Sequence, residues 1–170
     1  ECKGFHRSLH DPCKGRAAVI DDGRQRGALV GLDALMVPRH LVIAARKEIQ
    51  ARCGLAPESV LIGASHSHSS GPTGMIQPGE YDDASPLVKK LAYEQSSCAD
   101  ARYLETVRRQ IVAAVCEADR SRAEAQLSVG SGQGTRAPFH RPFRMKNGRT
   151  FTHTGQGNPA MLEHAGTIEP

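Results

Sequence analysis

A mixed α/β fold, a β-sheet with flanking helices, follows from three features of this 170-residue sequence. Two short apolar runs, Ala17–Ile20 and Gly27–Leu32, flank Asp21-Asp22-Gly23, and an Asp-Gly pair tolerates the positive φ that a tight hairpin turn needs. Leu41, Val42, Ala45 and Ile49 then recur at helical spacing between Pro38 and Arg52. A third apolar run, Val60–Ala64, ends abruptly in His66-Ser67-His68.

Taken in order, the first two runs are expected to pair as antiparallel strands, the second ending at the carboxylate of Asp33. Pro38 suits the first turn of the helix that follows, and Gly54 stops it. With Val60–Ala64 as the next strand, the order is strand, strand, helix, strand. Residues 66–86 are rich in Ser, Gly and Pro and are expected to form a long loop; loops of that length in compact domains are usually functional, and covering a ligand is the role it suggests. Leu87–Tyr93 reads as a short helix. Tyr103–Ser121 reads as a longer one, with Leu104, Val107, Ile111, Val112 and Val115 as its apolar stripe.

Ala125–Val129 is expected to be another strand, so that strands at 17–32, 60–65 and 125–130 share one sheet with helices packed against it. The cluster Gly130-Ser131-Gly132-Gln133-Gly134 is not a phosphate loop, because no helix pattern follows to supply amide groups. Phe139–Met145 and Thr150–His153 flank Lys146-Asn147-Gly148, a second hairpin signal.

The length corresponds to one domain, able to bury about 70% of its unfolded surface. Glu1-Cys2-Lys3 shows neither an initiator Met nor an apolar export segment, and Thr167–Pro170 adds no closing element, so the chain reads as a piece of a longer protein. No run of about 18 or more apolar residues is present, so no transmembrane segment is expected. No motif fixes the compartment or the oligomeric state; a secreted or periplasmic location would follow from a signal peptide on a longer chain.

The net charge of +4 is too modest to imply a nucleic-acid partner by itself. One stretch concentrates it: between Glu124 and Glu163 there is no acidic residue, while Arg136, Arg141, Arg144, Lys146 and Arg149 all fall there. That stretch reads either as a solvated basic hairpin or as a loop facing an anion or substrate. The five cysteines, Cys2, Cys13, Cys53, Cys98 and Cys116, show no Cys-x-x-Cys spacing and support neither a zinc ribbon nor a redox pair. Most are expected to be small buried hydrophobes, with Cys2–Cys13 a possible pair in an exported protein.

The histidines carry the chemistry. In an extended chain residues i and i+2 share a face, so His66 and His68 can look into one pocket, where neutral imidazole ligates a metal or relays a proton. The carboxyl end of a strand in an open α/β sheet is where such sites tend to lie. Ser67, Ser69 and Ser70 read as capping residues rather than nucleophiles, and no Gly-x-Ser-x-Gly elbow is present. His6, His10, His40, His153 and His164 read as loop or surface residues.

The order of motifs resembles that of the N-terminal domain of neutral/alkaline (non-lysosomal) ceramidases and their bacterial relatives. The resemblance is carried by Ile20-Asp21-Asp22-Gly23, Leu32-Asp33, Val60 through Pro72, Phe139 through Gly148, Gly157-Asn158-Pro159 and Gly166 through Pro170, nearly the whole chain, with the histidine segment its most specific part. It implies a zinc-dependent amide hydrolase that splits N-acylsphingosine, or another N-acyl substrate, into an amine and a fatty acid, with residues 1–170 forming the N-terminal part of the catalytic domain. By position it implies His66 as a zinc ligand, and His68 and Arg141 as catalytic, substrate-contacting residues. Zinc in such a site lowers the pKa of bound water from about 15.7 to about 7, His68 would donate to the developing oxyanion, and Arg141 would supply fixed positive charge. Asp33 is the candidate to orient a ligating imidazole.

The sequence departs from the family pattern where Ser67 replaces Thr, where an extra serine precedes Gly71, and where His140 replaces Asn. The family's further zinc ligands fall outside the matched stretch, so the isolated chain is expected to be incomplete as an amidase. The alternative from a different class is a non-catalytic anion or nucleic-acid binding module built on the basic hairpin 136–149, against which stands an aromatic content of 4%, leaving few rings to stack on bases.

Overall fold

The structure, a computed structural model, describes residues 10–132, 142–155 and 157–165. The chain forms two compact units, Glu1–Glu124 and Ala125–Pro170. Helices and two small sheets make the fold mixed α/β.

In the first unit, β1 (Gly15–Asp21) pairs antiparallel with β2 (Arg26–Leu32), in register from Gly15 opposite Leu32 to Asp21 opposite Arg26. The expected hairpin turn closes them. Gly23 has φ 83°, Asp21 Oδ1 accepts from its N–H at 2.9 Å, and Asp22 Oδ1 accepts from the N–H groups of Arg24 and Gln25. Those amide donors, Gln25 first and then Arg24, hold the Asp22 carboxyl below the usual carboxylate range.

From β2 the chain crosses through α1 (Arg39–Cys53) and a short 3-10 turn (Pro57–Ser59) to β3 (Val60–Ala64), which lies parallel to β2 with Ala28 beside Val60 and Leu32 beside Ala64. The sheet order is β1-β2-β3. Pro38 is the residue before the helix, and Gly54 ends it in the left-handed conformation at φ 70°. α1 buries Leu41, Ala45 and Ile49. A short helix, α2 (Pro86–Lys89), capped by Ser85, runs into a π-helical turn, Lys90–Glu94. α3 (Ala101–Arg120) begins at Asp100, whose carboxylate accepts from the Tyr103 N–H, and buries Leu104, Ile111, Val112 and Val115. Val107 packs partly buried against the same core, so the stripe falls where the periodicity put it. Ala28, Val30, Leu32 and Val60 supply the sheet's side of that core.

Polar and covalent ties fasten the layers. Arg26 donates twice to the Asp119 carboxylate, at 2.8 and 2.9 Å, and once to the Cys53 carbonyl at 3.1 Å, linking β2 to the ends of both long helices. Cys53 and Cys116 form a disulfide. This corrects the expectation that they are simply buried thiols: 63 positions of sequence separate them, and spacing alone cannot reveal such a pair. Cys13 is an exposed free thiol and Cys98 a half-buried one; Cys2 lies outside the described residues.

The second unit holds β4 (Phe143–Met145), β5 (Thr150–Phe151) and β6 (Met161–His164), in the order β5-β4-β6, all antiparallel. The Asn147-Gly148 hairpin forms where expected, with Gly148 at φ 78° and Asn147 Oδ1 accepting from the Arg149 N–H. β6 was not foreseen. The strand expected at 125–130 does not form. Leu127 and Val129 are 79% and 93% exposed, since alternation without a neighbouring strand to receive its hydrogen bonds leaves the segment unpaired.

Closing the loop between Cys53 and Cys116, 63 positions apart, is worth about 4 kcal/mol in the chain-entropy account. The double substitution Cys53→Ala/Cys116→Ala is expected to lower unfolding free energy by about 2–4 kcal/mol in urea titrations, and alkylation of the native protein should leave these two sulfurs unmodified.

Candidate functional site

β3 ends at Ala64, but the chain stays beside the continuation of β2. The Ser65 N–H donates to the Leu32 carbonyl at 2.9 Å and the Ser67 N–H to the Ala34 carbonyl at 3.0 Å. Between them His66 takes φ 62°, the one non-glycine residue with positive φ among the described residues. That conformation costs an L-residue about 1–2 kcal/mol. His66 Nδ1 lies 2.9 Å from the Leu35 carbonyl oxygen, in the bend that follows β2.

A carbonyl only accepts, so Nδ1 carries the proton and, in the neutral ring, Nε2 carries the lone pair. Metal-ligating imidazoles are held in this way, by a hydrogen bond from the nitrogen that does not bind the metal. The His68 ring packs edge-on against His66, with centroids 4.8 Å apart and planes at 88°. The two histidines are therefore together as expected, for a different reason. The backbone is not extended through them, and the contact arises from the left-handed turn at His66.

Asp33 does not take the orienting role proposed for it. Its Oδ2 accepts from the Lys14 N–H at 3.0 Å and lies 3.8 Å from Arg16, so it pins the start of β1 to the end of β2. The Leu35 carbonyl does the orienting instead, and no sequence pattern marks a backbone carbonyl for such a role.

The segment after the histidines is fastened rather than loose. Ser70 is buried and donates to the Ser67 carbonyl at 3.1 Å, and Ser67 Oγ accepts from the Ser69 N–H, the capping roles expected of these serines. Gly71 lies on the Tyr103 ring: a Cβ there would sit 2.2 Å from the ring carbon Cζ. Burial pushes the Tyr103 phenol above its ordinary range, with Cys13 acting in the same direction. Gly74, at φ 51°, is equally close to the Ala99 backbone. Thr73 is 1% exposed, and the Gln77 amide donates to the carbonyls of Thr73 and Gly74. The Asp100 N–H donates to Pro72 and the Ala99 N–H to Ile76. The first half of the expected loop is thus a docked segment whose register is set by the start of α3.

Arg141, with Arg136 and His140, lies outside the described residues. Of the basic stretch, Arg144 is 3.7 Å from Glu163 of β6, and the His164 ring packs on Phe143. His153 Nδ1 is 2.9 Å from Thr152 Oγ1. No group of three His, Cys, Asp or Glu residues suited to a metal occurs among the described residues. His66 fits a single ligand position with His68 beside it; the described residues do not by themselves make the three-ligand set of catalytic zinc. A cavity of about 560 Å³ lies between α1 and α3, lined among others by His40, Leu41, Gln77, Leu104 and Arg108, and its walls include neither histidine of the pair.

Comparison with family models, curated proteins and solved structures finds no match to this chain.

Two substitutions test the geometry. His66→Gly relieves the left-handed strain and His66→Ala does not, so the glycine variant should be the more stable by about 1 kcal/mol in urea unfolding. Gly71→Ala should cost about 1–3 kcal/mol by forcing the Tyr103 ring aside, and in a Tyr103→Ala background that cost should largely vanish.

Proposed function

We propose that this chain carries the histidine corner of a zinc-dependent amide hydrolase of the neutral ceramidase type, acting on N-acylsphingosine or a related N-acyl substrate. The observation that carries the reading is the His66 imidazole, oriented by the Leu35 carbonyl so that Nε2 is the lone-pair nitrogen, with the His68 ring against it. The motif resemblance at Val60 through Pro72 and Phe139 through Gly148 supplies the reaction class.

In this reading His66 holds the metal through Nε2. Zinc, when bound, supplies Lewis acidity toward the amide carbonyl. His68 holds a proton beside the reacting carbonyl and donates it to the oxygen on which negative charge develops. Arg141 contributes fixed positive charge to the same end of the substrate. The Leu35 carbonyl and the backbone bonds of Ser65 and Ser67 hold the His66 ring in place, as a preorganised site requires. By the resemblance the family's remaining zinc ligands lie beyond the matched stretch, so in this reading the isolated chain lacks the full ligand set of an amidase. The anion-binding alternative is less well supported, because Arg144 already has a carboxylate neighbour in Glu163 and aromatic residues are scarce.

Zinc uptake by the untagged chain, followed by calorimetry, is the test. Wild type should bind weakly, and His66→Ala should weaken binding by about 10–100-fold; unchanged uptake would remove His66 from the metal shell. Chelator-sensitive amide hydrolysis by the isolated chain would overturn the incompleteness of its ligand set.

A further inference from the structure

The disulfide skips a cysteine. Cys53 is joined to Cys116, while Cys98, between them in sequence, is a half-buried free thiol and Cys13 an exposed one. Loop closure in the unfolded chain favours other pairs. Cys98 is about 18 positions from Cys116 and Cys13 about 40 from Cys53, against 63 for the native pair, so closure alone makes the first about sixfold and the second about twofold more frequent than the native one.

The bond at Cys98 is also the one that folding cannot accommodate. Cys98 lies just before α3 and Cys116 near its end, and the helix from Ala101 to Cys116 spans about 22 Å. The link from Ala101 back to Cys98 reaches at most about 11 Å, whereas a disulfide needs its Cα atoms within about 7 Å. A Cys98–Cys116 bond therefore keeps α3 from forming, and it leaves Leu104, Ile111, Val112 and Val115 without the core they fill.

Oxidation after folding does not avoid the problem. Docked helices present the native pair to each other, with Cα atoms 5.8 Å apart, but Cys116 is then only 6% exposed, in the core against which Cys53 packs. An oxidant reaches its thiolate while α1 and α3 are apart. The first bond is thus made in an unfolded chain, where Cys98 is the favoured partner.

We propose that this chain matures in an oxidising compartment as a client of a thiol–disulfide isomerase, which moves a first-formed bond from Cys98 to Cys53. A disulfide donor takes two electrons from the Cys98 and Cys116 thiols, which lose two protons, and leaves as two thiols. An isomerase thiolate then attacks the Cys116 sulfur and releases the Cys98 thiolate. The Cys53 thiolate attacks the same sulfur in the mixed disulfide and releases the isomerase. Each exchange breaks one S–S bond and makes one, with no net oxidation. Docking of α3 on α1 buries the product and draws the exchange forward.

The test is refolding of the reduced, urea-unfolded chain in a glutathione and glutathione-disulfide buffer, with and without added protein disulfide isomerase. Samples are quenched in acid, alkylated, and their bonds mapped by peptide mass. Without the isomerase, Cys98–Cys116 should be the main early species and the native bond should follow over minutes to hours; with it, the native bond should form at least about tenfold faster. Cys98→Ser should reach the native bond at close to the catalysed rate with no isomerase present, whereas Cys13→Ser should gain no more than about twofold. Exported to a bacterial periplasm, the wild-type chain should carry the native bond, and should carry bonds at Cys98 instead when the host's disulfide isomerase is deleted. A native bond that forms in the wild type as fast as in Cys98→Ser, and at the same rate with or without isomerase, would sink the proposal. So would Cys53 and Cys116 recovered as free thiols from the periplasm.

Discussion

Arg26 is the residue on which the first unit depends. It stands at the start of the central strand, and its guanidinium reaches both the Asp119 carboxylate near the end of α3 and the Cys53 carbonyl at the end of α1. A helix C-terminus presents unsatisfied carbonyls and partial negative charge, so a cation there is favourable for two reasons at once. The Asp119 side chain is 13% exposed and that of Arg26 29%, enough burial for the pair, in which Nη1 reaches both carboxylate oxygens, to be stronger than a surface contact. One turn before Asp119, Cys116 is bonded to Cys53. A single small region thus ties β2, α1 and α3 by an ion pair, a hydrogen bond and a covalent bond.

That region lies at the amino end of the parallel strands, and the histidines lie at their carboxyl end. The division of labour is the usual one for α/β sheets, where one end is spent on stability and the other is left to loops. Here the end that carries the histidines is still firmly held. The ring of His66 is held by a backbone carbonyl, its φ by the flanking ladder bonds of Ser65 and Ser67, and the segment beyond it by Tyr103 and the Asp100 turn. A residue in a strained conformation persists only when its surroundings over-determine it, and the bonds on either side of His66 do that.

The elements that could be read from the sequence were those with a strong local signal. The Asp22-Gly23 and Asn147-Gly148 turns, the Leu41-Ala45-Ile49 stripe and the α3 stripe each encode their structure within a few residues. Features that depend on distant partners were not readable. The alternation at Ala125–Val129 looks like a strand, yet among the described residues no neighbour offers an edge to it, and the Cys53–Cys116 bond joins positions with no spacing signature. At the candidate site the histidine pair was legible and its support was not. Asp33 is the carboxylate a reader would choose to orient an imidazole, but the Lys14 N–H and Arg16 engage it, and an unremarkable carbonyl at Leu35 takes its place.

The Cys53–Cys116 bond has a topological effect beyond stability. It closes the backbone into a ring that contains β3, both histidines and the whole fastened segment up to the start of α3. A protease that cuts an exposed turn of this ring, such as the one around Gly79 and Glu80, severs the backbone without releasing a fragment. The two pieces stay linked through sulfur, with the histidine segment attached to one of them, and separate only when a reductant opens the ring.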